Sequence, residues 1–245
     1  MPLYINVDLT EKQKKEMESI PASSWFVKVI FNNAESPNHP IQKLEENFEM
    51  KQLLVKDWIK NSVKGKTVLD LFSANGAFSF IAALSGAKKV LGVEFSKERI
   101  RCAEFIKDTI DTNCEINFMH GDVYNITQYF NEQFDVVLCF GGLYHIADPP
   151  FILTNIRKLT KDNLILQTAQ VLPYPFNYAK FIVRRKDLTK NGLTSIRKGY
   201  GTWHCSPMCL REIIVHAGFK IVEEKRPPLL KRFRYKWYSV FCEPV

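Results

Sequence analysis

Residues 67 to 76 read Thr67-Val68-Leu69-Asp70-Leu71-Phe72-Ser73-Ala74-Asn75-Gly76, an apolar run around one acid that passes into a small-residue turn closed by glycine. Eighteen residues beyond Gly76 a second short run, Val90-Leu91-Gly92-Val93, ends in Glu94. A strand, a tight turn, a helix and a second strand ending in a carboxylate make the ribose-reading half of a Rossmann-type sheet. Dinucleotide sites place three glycines in that turn so that backbone can approach a pyrophosphate. Here Gly76 stands alone, and the expected guest is a nucleoside without phosphates.

Outward from this unit the same alternation continues. Strands are predicted at 67–71, 89–93, 115–119, 135–140 and 163–167, with helices after Gly76, Ser96, Thr127 and Pro149. That order gives a parallel sheet covered on both faces. A helix over 206–217, with Pro207 at its first position and Gly218 past its end, precedes two last strands, 219–223 and 238–242. On the amino-terminal side, 10–20 reads as a charged helix, 25–31 as a strand-like run and 32–40 as a turn-rich loop. Leu44, Phe48, Leu54, Trp58 and Ile59 then form a helical stripe. Residues 1–60 are expected as a helical and strand extension packing on the core. Residues 61–245 are expected as the main domain, with a substrate-cap insertion at about 171–205, inside a stretch (168–204) that shows no clear period.

Asp70 through Gly76 resembles the first motif of class I S-adenosylmethionine (SAM)-dependent methyltransferases, an acid followed by alternating glycines, two of which are replaced here by Phe72 and Ala74. Glu94, then Gly121-Asp122-Val123, then Phe134-Asp135-Val136-Val137-Leu138-Cys139-Phe140 follow in the family's order. The resemblance implies a Rossmann-like α/β fold, a seven-stranded mostly parallel sheet with an antiparallel last strand and helices on both faces. It implies SAM as cofactor, with Glu94 accepting from the ribose hydroxyls, Asp122 contacting the adenine amino group and Val123 offering its backbone N–H. Asp70 would order the turn or bind the amino end of methionine. Phe72, Ala74, Gly76, Phe95, Phe140 and Gly141 complete the expected cofactor site.

The stretch Phe140-Gly141-Gly142-Leu143-Tyr144-His145-Ile146-Ala147-Asp148-Pro149 narrows the likeness. Leu-Tyr-His followed by Pro looks like the group that includes the tRNA wobble-uridine carboxymethyltransferases, and Trp25-Phe26-Val27-Lys28 and residues 203–219 extend the similarity. That enzyme reads a carboxylated SAM through a tyrosine, matched by Tyr144, and two bases outside the motif. The expected arginine falls at or close to Trp237, and the lysine has no placed counterpart. A carboxylate left poorly compensated is costly, so plain SAM and plain methyl transfer are expected.

Tyr144 and His145 are the candidate catalytic residues. An imidazole titrates near pH ~6.5 and can take a hydroxyl proton at neutral pH. Tyr144, Arg184, Arg185, Trp203 and His204 are the candidate acceptor-binding residues. Hydrophobic content of 46% and charged content of 24% are those of an ordinary globular chain of 245 residues. No run reaches the roughly 18 consecutive apolar residues of a membrane span, and Met1-Pro2-Leu3-Tyr4 opens no signal peptide. Six cysteines without a Cys-x-x-Cys pair read as reduced core residues of a cytoplasmic protein with no membrane or metal partner.

The net charge of +8 is uneven: 171–205 carries +6, 220–236 carries +5, and the remainder −3. An anionic acceptor, small or attached to a carrier, follows from that asymmetry. A tRNA-modifying enzyme is the alternative within the class. A non-catalytic nucleoside- or RNA-binding Rossmann domain, suggested by Phe72 and Ala74, is the alternative outside it.

Overall fold

Val68 to Leu71 are all buried, the mark of a strand covered on both faces. They belong to a computed structural model that describes residues 2–40, 43–171, 176–183, 201–228 and 236–245. The chain divides into two units, Met1–Val123 and Tyr124–Val245.

In the first unit, β1 (Leu3–Ile5) pairs in parallel with β2 (Val29–Phe31). Between them α1 (Glu11–Ser19) begins at a capping box, in which the Thr10 hydroxyl accepts from the Gln13 N–H and the Gln13 side chain accepts from Thr10 N–H. The strand expected over 25–31 shrinks to its last three residues. Ala22–Ser24 is a short 3-10 turn instead, and Trp25, fully buried, packs edge-on against Phe105 at 6.0 Å between centroids. Side-chain burial and side-chain hydrogen bonds, not a ladder, hold that segment. α2 (Lys43–Ser62) leads into β3 (Thr67–Leu71), α3 (Ala77–Leu84), β4 (Lys89–Glu94), α4 (Lys97–Lys107) and β5 (Glu115–His120). β3 pairs with β4 and β4 with β5, all parallel. Gly92 and Gly76 make room for one ring: a Cβ would come within 2.5 Å of Phe118 at Gly92 and 2.7 Å at Gly76.

In the second unit, a single turn, α5 (Ile126–Tyr129), stands where a helix after Thr127 was expected. β6 (Phe134–Phe140) and β7 (Thr160–Ala169) are parallel, joined by α6 (Pro149–Leu159). α7 (Pro207–His216) packs on α6. β10 (Phe219–Lys225) pairs antiparallel with β11 (Trp237–Pro244), and β11 antiparallel with β7. The stretch that showed no period holds β8 (Ala179–Val183) and β9 (Gly201–Cys205), an antiparallel pair with Phe181 opposite Trp203. The main sheet has the strand order β10-β11-β7-β6-β3-β4-β5, and β8 and β9 form a separate ladder. As expected, the last strand is the antiparallel one. Among the described residues no helix is long and apolar enough to cross a membrane.

Candidate functional site

The turn after β3 is built on left-handed backbone. Phe72 has φ 61°, Ala74 φ 51° and Gly76 φ 79°. Residues with a Cβ rarely occupy that region, and the two that do so here stand where the family's motif carries glycine. The replacements therefore keep the glycine conformation. Ser73 N–H donates to Val93 O at 3.1 Å and Gly76 N–H to Ser73 O at 2.8 Å, closing the turn against β4.

Glu94, at the end of β4 and nearly buried, is held by this turn. Its Oε2 accepts from Ala74 N–H at 3.0 Å, its Oε1 accepts from Ser96 N–H at 2.9 Å, and Arg99 lies 3.7 Å from Oε1. Each oxygen retains acceptor capacity beyond one backbone bond, so the carboxylate is oriented and still able to receive hydroxyls. Asp70 is fully buried and accepts from the Ser79 hydroxyl at 2.6 Å. Burial, opposed by the Ser79 hydrogen bonds and assisted by the charge of Glu94, pushes its carboxyl up to about 7. It anchors the turn to α3. Phe95 is half exposed, its ring 5.8 Å from His120. Gly121 N–H donates to Glu94 O at 3.1 Å, which brings the Gly121-Asp122-Val123 turn to the same strand end, with Asp122 half-buried and Val123 buried. Asp70, Phe72, Ala74, Gly76, Glu94, Phe95, Asp122 and Val123 thus gather at the carboxyl ends of β3, β4 and β5, where open parallel sheets take their ligands.

The second unit gathers the rest. Phe140 ends β6 buried, and Gly141, at φ 71°, donates its N–H to Gln167 O at 2.9 Å. Leu143–His145 forms a single 3-10 turn that presents Tyr144 half-buried and His145 exposed, their rings 4.0 Å apart. The Tyr144 ring also lies 6.1 Å from that of Trp237. Asp148 then caps α6 by accepting from Phe151 N–H at 3.1 Å. Trp203 of β9 donates its indole N–H to Ala147 O at 3.3 Å, and Tyr124 accepts from Ala147 N–H through its hydroxyl at 2.8 Å. The loop bearing Tyr144 and His145 is therefore gripped through both backbone groups of one residue, Ala147. Tyr124 escaped the sequence reading, although it directly follows Asp122-Val123. His204 is half-buried beside Trp203 and pairs in register with Lys180. Arg184 and Arg185 lie outside the described residues.

A family described as a methyltransferase domain matches residues 62–192, more than half of the chain. The chain belongs to that family. The ubiquinone biosynthesis O-methyltransferase of Proteus mirabilis (strain HI4320) is 28% identical over 159 residues, 65% of this chain and 58% of that relative. The match thus spans under three-fifths of the relative's length. Among solved structures, the N-terminal domain of EvdMO1 with S-adenosylhomocysteine (SAH) bound is similar at TM-score 0.65 and 17% identity, covering 98% of this chain and 97% of that one. The magnesium protoporphyrin IX methyltransferase of Synechocystis PCC 6803 with bound SAM is similar at TM-score 0.57 and 16% identity, covering 82% and 80%. These likenesses carry the methyltransferase fold and give no support to the tRNA wobble-uridine group.

Proposed function

We propose that this methyltransferase moves the methyl group of SAM to an oxygen or nitrogen of an anionic acceptor, small or attached to a carrier. The observation that carries the donor assignment is the left-handed turn at Phe72, Ala74 and Gly76 clasping the carboxylate of Glu94. A domain that had abandoned its nucleoside would have no reason to keep non-glycine residues at φ above 50° at two positions of one turn, since each costs about 1–3 kcal/mol. Glu94 would receive the ribose hydroxyls, Asp122 and Val123 the adenine, and Phe140 and Gly141 would complete the cofactor contacts. SAM supplies an electrophilic methyl, and the chain's own work is then alignment and proton removal. His145 would take the acceptor's proton while Tyr144, packed on its ring, fixes the imidazole. Transfer to oxygen is favoured by the O-methyltransferase relative.

Trp237 speaks for an unmodified donor. A carboxylated SAM needs a cation beside Tyr144, and where the resemblance expects an arginine the chain carries Trp237, whose ring lies 6.1 Å from that of Tyr144. The insertion at 171–205 would cap the acceptor, a role supported by the Trp203 bond to Ala147.

Calorimetry with SAM, SAH and NAD tests the donor, and labelled methyl incorporation into cell extract tests the acceptor. SAM and SAH should bind, NAD should not, and label should enter the small anionic fraction. Tight NAD binding overturns the cofactor class. Label confined to tRNA would replace the small acceptor by RNA, and SAM binding without any turnover would leave a binding domain.

A further inference from the structure

Asn75 is completely buried inside the cofactor turn, yet its side chain serves a segment 48 residues earlier. Its Oδ1 accepts from Val27 N–H at 3.2 Å, and its Nδ2 donates to Val27 O at 2.9 Å. Both hydrogen-bonding groups of one peptide-like edge are thus satisfied by one amide, a geometry that fixes Val27 in register as a strand partner would. Trp25, two residues away, is pinned against Phe105 of α4. Phe26, between them, has the guanidinium of Arg99 5.2 Å from its ring centre, the ammonium of Lys51 at 5.7 Å and the His39 ring at 6.4 Å. The Lys51 and Arg99 distances suit cation–π attraction. Arg99 in turn lies 3.7 Å from Glu94 Oε1, and Glu94 Oε2 accepts from Ala74 N–H, the residue before Asn75. The contacts therefore close on themselves: turn, Asn75, Val27 and Phe26, Arg99, Glu94, and the turn again.

We infer that Asn75 and Phe26 are positioning residues that make the amino-terminal extension part of the donor site, setting the Glu94 carboxylate through Arg99. The inference rests on the assignment of Glu94 to the SAM nucleoside. The extension then contributes to nucleoside affinity without touching the methyl being transferred. Burial lowers the Lys51 ammonium only to about 8, so near neutral pH it still presents a second cation to Phe26.

The test is SAH affinity by calorimetry in a double-mutant cycle, with thermal melts to show which variants fold. Asn75→Ala and Phe26→Leu should each weaken SAH binding about ten-fold in the wild-type background, a coupling of the size neighbours in one network show. In a Glu94→Gln background either change should cost less than about two-fold, because the group they set is already lost. A merely structural role would lower the melting temperature and leave the two backgrounds alike. Phe26 is half-buried, so Phe26→Leu carries the test if Asn75→Ala does not fold. Wild-type affinity in the folded variants, or an equal loss in both backgrounds, overturns the inference while the donor assignment stands. A wild-type protein that binds no SAH overturns the donor assignment and this inference with it.

Discussion

Asp70 illustrates how a single carboxyl is bent to its place. In an unfolded chain it titrates near 3.8, and in the fold burial carries it to about 7. Between those values the folded state binds more protons than the unfolded one, so stability from this group is complete below the lower value and is lost as pH rises through the upper. Asp70→Asn keeps an acceptor for Ser79 and removes the titration. Urea unfolding at pH 5 and pH 8 should show a larger loss across the interval for wild type than for the variant. Equal losses would show that Asp70 does not titrate there. His145 is a residue of the opposite kind, exposed and with its ring tilted against that of Tyr144. If His145 is the proposed general base, His145→Ala should lower turnover by ~10²–10⁴-fold with SAM affinity nearly intact. A loss below tenfold would make it a loop residue.

Among elements, the helix starts were the most legible. Ser96 caps as its place before a helix implies, and the structure adds caps at Asp148 and Ser206. What the pattern could not show is that the fully buried Ser206 does more than cap. Its hydroxyl accepts from Cys209 N–H at 3.2 Å and Tyr178 N–H at 3.1 Å and donates to Phe176 O at 2.9 Å, strapping the approach to β8 onto α7. Ser206→Ala should therefore cost roughly 2 kcal/mol, the upper end for a cap, because buried partners are left unmet. Thermal unfolding should show the midpoint falling by ~5 °C, with Ser96→Ala, a longer 3.4 Å cap, falling less. The β8–β9 ladder stayed hidden for a different reason. Two five-residue strands supply too little local periodicity, and their pairing is fixed by residues some twenty positions apart.

At the scale of the molecule, the charge map meets the topology. Trp237 pairs with Ala169, and Gln170 N–H donates to Lys236 O at 2.7 Å, so the segment between β10 and β11 begins and ends at the carboxyl edge of the second unit's strands, where the insertion after β7 also departs. Nine of the fourteen bases in the two segments, including Arg184, Arg185, Lys186, Lys231, Arg232 and Arg234, lie outside the described residues, so the expectation that they converge on the acceptor stands as a proposal. Changing Arg184, Arg185 and Lys186 to Glu should raise the acceptor's KM and leave SAM affinity unchanged. Wild-type KM should rise with salt, steeply on a log–log plot for an RNA acceptor and shallowly for a small monoanion. A KM indifferent to salt and to the triple reversal would remove these loops from substrate recognition.

The sequence by itself determined the chain order of the seven strands of the main sheet, the turn after β3 and the acid that ends β4, because these are local signals: continuous apolar runs, a glycine closing a turn, a carboxylate at a set distance. Only the tertiary structure decided that Phe72 and Ala74 adopt the conformation of the glycines they replace, since φ is imposed by what the turn must hold. It alone decided that Asn75 belongs to Val27, Tyr124 to Ala147 and Arg99 to Glu94, because a buried polar group takes whichever partner the packed chain brings within reach.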